Sequence, residues 1–352
     1  MCNLTPLVFD GHNDVLLRIF KEGGISEAAT FGVGREGAID LKKAKAGGFG
    51  GGFFAVYVPS QIDFNFKYQE MTKESYDLPL PDPISWSDAV SVVAEQVAIL
   101  LQLEKQGSLE ICRSAQDIRR AFSTGKIAAI FHIEGAEAID PDLYMLEFLH
   151  AAGLRSIGPV WSRSTIFGNG VPFRYPSSPD IGSGLTDKGV ALIKRCNELN
   201  IMIDLSHLNE AGFWDVVRNS NAPLVASHSN AHAITEHSRN LTDNQLRAIA
   251  DSDGMVGLNF AAAFLRKDGK MLSNVPLSQM LKHIDHLINI LGEDRVGLGS
   301  DYDGAVVPEE LSDVSALPKL RQAMKEHGYG ETLIKKLCHL NWLRVLEKTW
   351  GS

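Results

Sequence analysis

Three histidines and three carboxylates of this chain directly follow short apolar runs that have the composition of buried strands. They are His12 and Asp14 in "FDGHNDVL", Glu134 in "AAIFHIEG", His207 in "IMIDLSH", His228 in "LVASH" and Asp301 in "VGLGSD". Imidazole and carboxylate groups are the ligands that zinc and similar divalent ions take in proteins. These six side chains are too many for one tetrahedral ion that must keep a position open for water. The sequence therefore predicts two divalent ions that share one carboxylate.

Each of these residues also has a structural interpretation when it is considered alone. A histidine at a strand end is often only hydrogen bonded, Asp301 could be a helix N-cap, and Glu134 could pair with a buried cation. Five separate strand ends give the same residue types, however, and burying that many ionisable groups without a metal would be costly. Strand alternation also turns His12 and Asp14 to one face, which favours the metal site.

The elements that must position these groups are β-rich runs alternating with longer amphipathic stretches. The runs span residues 7–9, 52–58, 128–133, 156–160, 201–205, 224–226, 255–259 and 296–298, and helical patterns include residues 85–107, 186–200, 242–254 and 278–292. Thr186 and Thr242 can cap two of these helices, and Gln245 adds a capping box to the second. Eight strands alternating with helices predict one single-domain (β/α)8 TIM-like barrel over residues 1–352, whose active site lies at the carboxyl ends of the strands. An open doubly wound sheet is the weaker alternative, since no Gly-x-Gly-x-x-Gly follows the first strand.

Three segments between the predicted elements are long. Residues 161–185, rich in glycine, proline and serine, are predicted to form an active-site loop. Residues 69–83 are predicted to be solvated surface. The segment 227–243 carries Arg239, whose planar guanidinium suits a substrate carboxylate. It also carries His232 and His237, for which a structural role and a substrate contact are both open.

Composition excludes several classes of partner. The 352 residues have a formal net charge of −9 and no block of like charge, which argues against a nucleic-acid partner. No run approaches ~18 uninterrupted apolar residues, and the N-terminus lacks a basic segment followed by an apolar core, so we expect no membrane span and a cytoplasmic location. Cys2, Cys112, Cys196 and Cys338 are far apart in the sequence and are predicted to be free thiols.

The ordered set of motifs resembles a known family. "DGHNDVL", "IEGAEAI", "DLSHL", "SHSNAHA", "SRNLTD" and "GSDYDG" occur in the order and spacing of the renal (membrane) dipeptidase family within the amidohydrolase superfamily. The match runs from about residue 8 to about residue 304. It implies a (β/α)8 barrel that holds two zinc ions.

The resemblance also implies a role for each site residue. His12 and Asp14 would bind the first ion, His207 and His228 the second, and Glu134 would bridge them. Asp301 would be the general acid/base, and Arg239 would hold the terminal carboxylate of the substrate. The family's secretion signal and lipid-anchor tail have no counterpart here, which agrees with the cytoplasmic prediction.

One position departs from the family pattern. Well-known animal members carry a histidine shortly after strand four that is thought to steady the substrate carbonyl, and Trp161 occupies that position here. An indole N–H can donate one hydrogen bond but carries no charge. Polarisation of the carbonyl would then fall on the second metal ion or on a residue of the following loop such as Arg163, and the substrate range is the property most affected.

The hypothesis is therefore zinc-dependent hydrolysis of small dipeptides by a metal-bridging hydroxide, with L-Ala-D-Ala-like substrates implied by the resemblance. Alternatives are another binuclear amidohydrolase, such as an N-acyl amino acid deacylase or a lactonase, and an inactive barrel that serves as a binding module. Complete retention of the six site residues argues against the last of these. A homodimer is common for such barrels, although one sequence identifies no interface.

Overall fold

The strands of the molecule form a barrel and one small accessory sheet. The computed structural model describes residues 6–60 and 64–351, with the backbone alone described for 64–66, so Cys2 lies outside the described residues. The strands are β1 (Val8–Asn13), β2 (Phe49–Tyr57), β3 (Tyr76–Asp77), β4 (Leu109–Ile111), β5 (Ile127–Glu134), β6 (Leu154–Gly158), β7 (Arg174–Tyr175), β8 (Met202–Ile203), β9 (Val225–Ala226), β10 (Met255–Asn259) and β11 (Val296–Gly299).

Eight of these strands form a nearly closed parallel barrel. Their order is β8-β6-β5-β2-β1-β11-β10-β9, and β4 pairs with the start of β5 outside this path. A parallel bridge between Asp204 and Val225 joins the two ends of the sheet. The predicted TIM-like barrel is confirmed, and each of the eight predicted strands overlaps one barrel strand.

Helices alternate with the barrel strands and surround them. They are α1 (Val15–Glu22), α2 (Thr30–Val33), α3 (Leu41–Gly47), α4 (Phe64–Glu70), α5 (Trp86–Lys105), α6 (Ala115–Thr124), α7 (Tyr144–Ala152), α8 (Asp187–Glu198), α9 (Glu210–Asn219), α10 (Asp243–Asp251), α11 (Ala262–Leu265), α12 (Leu277–Leu291), α13 (Leu317–Glu326), α14 (Glu331–Lys335) and α15 (Asn341–Trp350). Short 3₁₀ segments span Gly24–Ala29, Glu293–Arg295, Glu309–Leu311 and Val314–Ala316, and a π-helical turn spans Lys336–Leu340.

The predicted helix caps are present. The Thr186 side chain accepts a hydrogen bond from Gly189 N at the start of α8. Thr242 and Gln245 form the capping box of α10, in which each side chain accepts from the other residue's backbone N–H. These bonds satisfy backbone donors that have no partner inside the helix, so the local sequence sets where both helices begin.

One helix of the described residues, α5, is long and apolar enough to cross a bilayer by length and composition alone. In the structure its buried face, which includes Ala89, Val93 and Gln96, packs inside the molecule. The Gln96 amide donates to the carbonyl oxygen of Tyr57 at 2.6 Å and its oxygen accepts from Tyr57 N, which ties α5 to β2. The apolar residues of α5 therefore include a face that packs against the barrel.

An apolar plug fills the amino end of the barrel. Phe9, Phe53 and Met255 pack there around Trp342 of α15, whose indole Nε1 donates to the carbonyl of Leu298 at 3.0 Å. Gly11 permits this approach, since a Cβ atom there would lie 2.5 Å from the Trp342 ring. With this end packed by aromatic side chains, buried polar groups collect at the opposite, carboxyl end.

The segment 69–83 is more than solvated surface, and that prediction was wrong. Tyr76 and Asp77 form β3, which pairs antiparallel with β7 of the 161–185 loop, and Tyr76 is buried. The Tyr76 hydroxyl donates to the carbonyl of Gly269, and Leu78 N donates to the carbonyl of Phe173. The two long segments therefore hold each other over the barrel mouth.

The described cysteines are free thiols, as predicted. Cys112, Cys196 and Cys338 are all buried. Burial raises the pKa of the Cys338 thiol to about 12, so it stays protonated near neutral pH.

Candidate metal centre and active site

The six predicted site residues lie together at the carboxyl end of the barrel. His12 lies inside β1, Asp14 follows that strand, and Glu134 is the last residue of β5. His207, His228 and Asp301 follow β8, β9 and β11. His207 and Asp301 have φ angles of 69° and 61°, so the backbone turns sharply where each side chain enters the site. Five of the six are buried and Asp301 is partly buried.

One carboxylate oxygen lies at the centre of this group. Glu134 Oε1 is 3.0 Å from His207 Nε2, 3.5 Å from His228 Nε2 and 3.7 Å from His12 Nε2. Three overlapping groups of potential metal ligands lie at this end of the barrel. They consist of Glu134, His207 and His228, of His12, Asp14 and Asp301, and of His12, Asp204 and His228. Glu134 Oε1 therefore lies among the Nε2 atoms of all three histidines.

The tautomer of His228 is set by its neighbours. The Ser227 hydroxyl donates to Asp204 Oδ2 at 2.5 Å, so its oxygen accepts from His228 Nδ1 at 2.7 Å. With its proton on Nδ1, His228 presents the Nε2 lone pair to the centre. Ser162 Oγ lies 2.8 Å from His207 Nδ1 and holds that ring in the same way. Hydroxyl and carboxylate groups behind a ligand histidine commonly orient it for metal binding.

The residues fit a metal. Both ring nitrogens of His12 are buried and have no hydrogen-bond partner among the described residues. Such orphaned polar atoms are rare in folded proteins because each costs desolvation free energy. A cation between the Nε2 atoms and the carboxylates would satisfy them. The imidazole and carboxylate donor set is the one that zinc takes.

Burial and the neighbouring charges shift the pKa values of the residues at the centre. Burial raises the pKa of Glu134 to about 8, and nearby His12 opposes the rise. Burial lowers the pKa of His12, but the Glu134, Asp14 and Asp301 carboxylates outweigh it and raise the value to about 10. Burial lowers the pKa of His207 and His228 well below the usual range, so both rings are uncharged near neutral pH.

Asp301 is held at the edge of the centre. Its Oδ2 accepts from Asn259 Nδ2 at 3.0 Å, and its backbone N donates to the carbonyl of His12. Burial raises its pKa, and the nearby His12 opposes that effect. A carboxylate with a raised pKa is suited to taking up and releasing a proton.

A cleft opens onto the centre. Its polar lining includes Asp14, Glu134, His207 and Asp301. Its apolar lining includes Trp161, whose ring centroid lies 5.7 Å from that of His207, and Phe173. Two residues of the 161–185 loop thus form a wall of the cleft.

Arg239 is buried behind this lining. Its Nη2 donates to the carbonyl of His228 at 3.2 Å, and its Nε is buried without a partner among the described residues. Its guanidinium carbon lies 5.4 Å from the centroid of Phe264, which lines the cleft. Burial lowers the pKa of Arg239 to about 10, and the Asp301 and Glu134 carboxylates oppose this, so the group is charged at neutral pH.

Arg163, considered above as a partner of the substrate carbonyl, is committed elsewhere. It donates to Glu137 from Nε and Nη2, to Ser60 from Nη1 at 2.6 Å and to the carbonyl of Val58 from Nη2. The side chain is fully buried behind Trp161 and Tyr57. Its donors are therefore used for holding the loop in place.

Three further histidines near the centre have structural contacts. His132 Nδ1 pairs with Ser156 Oγ at 2.9 Å, and its Nε2 lies 3.6 Å from Asp204 below the centre. His232 Nε2 pairs with the carbonyl of Ser177. His237 Nδ1 accepts from Arg239 N at 3.0 Å, so this side chain positions Arg239.

Sequence reasoning did not find four residues of the site. Asp204, Ser162 and Ser227 hold the two histidines, and Lys67 of α4 lines the cleft. Asp204 lies three residues before His207 in "DLSH", and Ser227 lies directly before His228 in "ASH". This closeness in the sequence to the two histidines was a usable signal. Lys67 lies outside every strand end, and the sequence gives no sign of its position.

Residues 3–350 match the family described as Membrane dipeptidase (Peptidase family M19). The chain belongs to this family. The resemblance found in the motifs is thereby confirmed, together with the enzyme class, a metallo-dipeptidase that hydrolyses peptide bonds.

Curated relatives and solved structures agree with this assignment. An uncharacterized protein in the pqqA 5' region of Klebsiella pneumoniae is 49% identical over 75% of this chain and 98% of its own length. One in the PQQ-III 3' region of Acinetobacter calcoaceticus is 39% identical over 80% of this chain and 89% of its own.

Among solved structures, a metallo peptidase from Rhodobacter sphaeroides, liganded with a phosphinate mimic of the dipeptide L-Ala-D-Ala, is 50% identical. It superposes with a TM-score of 0.96 over 99% of this chain and all of its own. The metallo peptidase called dipeptidase AC is also 50% identical, with a TM-score of 0.93 over the same shares of both chains.

Proposed function

We propose that this protein is a zinc-dependent dipeptidase that accepts dipeptides with a C-terminal D-residue such as L-Ala-D-Ala. The observation that carries the proposal is the placement of three imidazole Nε2 atoms within 3.0–3.7 Å of Glu134 Oε1, with Asp301 beside them. The phosphinate ligand of the Rhodobacter sphaeroides relative supports the substrate class.

Two divalent ions fit the arrangement. His12 and Asp14 would hold one, His207 and His228 the other, and Glu134 would contribute to both. When bound, such ions supply a water of lowered pKa as the nucleophile and polarise the amide carbonyl. Zinc is the ion that this set of nitrogen and oxygen ligands favours.

Asp301 would move the proton. As the water oxygen bonds to the amide carbon, Asp301 takes the proton that the water loses. When the carbon–nitrogen bond then breaks, Asp301 returns this proton to the departing amine. One water is consumed and two amino acids are released, while Asp301 ends as it began.

Arg239 would select short substrates. Its buried charge lies behind the cleft wall and suits a terminal carboxylate, since two N–H groups of a guanidinium can bind two oxygens. Holding the terminal carboxylate beside the metal centre would favour substrates with a single residue after the scissile bond. The enzyme would therefore cleave dipeptides and leave longer chains intact.

Metal analysis and hydrolysis test the proposal together. We expect about two zinc ions per chain, with L-Ala-D-Ala cleavage that is lost on chelation and restored by zinc. If the protein bound two ions and cleaved N-acyl amino acids or lactones but no dipeptides, it would be another amidohydrolase and not a dipeptidase. If the protein held no metal after incubation with excess zinc, the prediction of a metal centre would be wrong. The cytoplasmic location and a homodimeric state stay predictions.

A further inference from the structure

Lys67 is a buried cation in the cleft that the proposed reaction has not used. It lies on α4, it is 8% exposed, and no other lysine among the described residues is buried. Of the lysine and arginine side chains in residues 6–60 and 64–351, it alone lines the cleft. Burying an ammonium group costs free energy that other contacts must offset.

Aromatic rings hold the ammonium group in place. Lys67 Nζ lies 3.7 Å from the centroid of Phe173 and 4.8 Å from that of Trp161. Both rings belong to the 161–185 loop, and both line the same cleft. Cation–π contacts of this kind fix the direction of a flexible lysine without neutralising it.

The charges around Lys67 belong to the reacting centre. Burial lowers its pKa to about 7, and the carboxylates of Asp301 and Glu134 oppose that effect. Asp301 and Glu134 line the same cleft as Lys67, so the ammonium group and the two carboxylates face one space.

An ammonium group in the cleft can serve amide hydrolysis by donating a hydrogen bond to the carbonyl oxygen. Attack on an amide carbon moves the carbonyl π electrons to oxygen, and donors aimed at that oxygen stabilise the transition state. Trp161 is uncharged and Arg163 is occupied by Glu137, Ser60 and Val58. Lys67 is a charged donor that lines the cleft together with Glu134 and Asp301.

We propose that Lys67 is a catalytic residue that donates a hydrogen bond to the substrate carbonyl oxygen as it becomes an oxyanion. This inference rests on the proposed dipeptidase function. The ammonium group keeps its proton throughout, because Asp301 handles the proton of water and amine. When the carbon–nitrogen bond breaks, the electrons return from oxygen to the carbonyl and Lys67 is released unchanged.

The test compares Lys67→Met, Lys67→Arg and the control Lys73→Met in zinc-loaded protein. Lys73 is exposed and lies three residues after α4. We expect Lys67→Met to keep its zinc and lose about 10²- to 10³-fold in kcat, the usual effect of one oxyanion donor. Lys67→Arg should recover most of the loss, and Lys73→Met should match the wild type.

Binding of a phosphinate mimic of L-Ala-D-Ala, measured by calorimetry, gives a readout independent of turnover. A tetrahedral anion resembles the transition state, so its affinity should fall in parallel with kcat/KM in Lys67→Met while KM changes little. Wild-type turnover and phosphinate affinity in Lys67→Met would overturn the proposal. A defect confined to KM of substrates with a free carboxylate would also overturn it and make Lys67 a carboxylate-binding group.

The wild type reports separately on the proposed function. Cleavage of L-Ala-D-Ala by the zinc-loaded wild type supports the dipeptidase, and the ratio of Lys67→Met to wild type then decides the role of Lys67. A zinc-loaded wild type that neither cleaves dipeptides nor binds the phosphinate overturns the dipeptidase, and with it the reaction assigned to Lys67.

Discussion

The Nε2 atoms of His207 and His228 lie 3.1 Å apart, and both face the same carboxylate oxygen of Glu134. Two neutral imidazoles here direct lone pairs toward one carboxyl group, an arrangement that a cation would satisfy. Affinity for the ion should therefore depend on the groups that fix both rings.

Ser227 should control metal affinity through the tautomer of His228. Ser227→Ala removes the acceptor for the Nδ1 proton, and Asp204→Asn removes the carboxylate that orders the hydroxyl. We expect each change to weaken zinc binding by about 10- to 100-fold, as loss of such supporting groups does elsewhere. Competition with a coloured chelator measures the affinity without reference to turnover. Ser91→Ala on the exposed face of α5 is the control, and equal affinities in all three variants would contradict the proposed tautomer.

Asp301 should affect turnover far more than metal content. Asp301→Asn keeps the size of the side chain and an oxygen but cannot take up a proton. We expect kcat to fall by about 10²- to 10⁴-fold, the range for general acid/base groups, with zinc retained. Steady-state kinetics and elemental analysis of the same sample check both parts. Near-normal turnover would remove Asp301 from the mechanism.

Arg239 should discriminate between free and amidated substrates. Loss of one partner of a buried charge pair costs about 2–4 kcal/mol, or about 30- to 10³-fold in kcat/KM. Arg239→Ala should show this loss for L-Ala-D-Ala and a much smaller loss for its C-terminal amide. Arg247→Ala, an exposed arginine of α10, should leave both substrates unaffected. If Arg239→Ala slowed the two substrates equally, the arginine would not bind the carboxylate.

His283 should make stability depend on pH. This buried side chain of α12 accepts from Ala231 N at Nδ1 and pairs with the carbonyl of Leu265 at Nε2, which requires a neutral ring. Burial lowers its pKa to about 4, whereas an unfolded histidine has a pKa of about 6.5. Its contribution is therefore complete above pH ~6.5 and is lost as the pH falls toward 4, by up to about 3 kcal/mol.

Denaturant titration of the metal-free protein between pH 7 and 4 measures this loss. We expect a shallower pH dependence in His283→Gln than in the wild type. His286→Gln is the matched control, because His286 lies on the same helix, is partly exposed and pairs with Asp243. Identical pH profiles for the wild type and His283→Gln would show that His283 is not responsible.

The barrel and the grouping of the six site residues could be predicted from the sequence for a physical reason. Carboxyl ends of parallel strands meet at one rim, so residues that follow different strands come together once the strands are recognised. His12 and Asp301 are 289 positions apart in the chain, yet Asp301 N donates to the carbonyl of His12. Helix starts at Thr186 and Thr242 were equally predictable, because a cap satisfies backbone donors of its own helix.

Only the tertiary structure decided which segments pack around the cleft and which charged side chain lines it. Tyr76 pairs with Tyr175 across about a hundred residues, Arg163 turns away to Glu137, and Lys67 packs on Phe173. None of these contacts follows from a local period or cap, because each joins segments whose relative position depends on the packing of the whole barrel. The sequence by itself therefore determined which groups meet at the rim, and the packing of two distant loops decided which charge lies beside them.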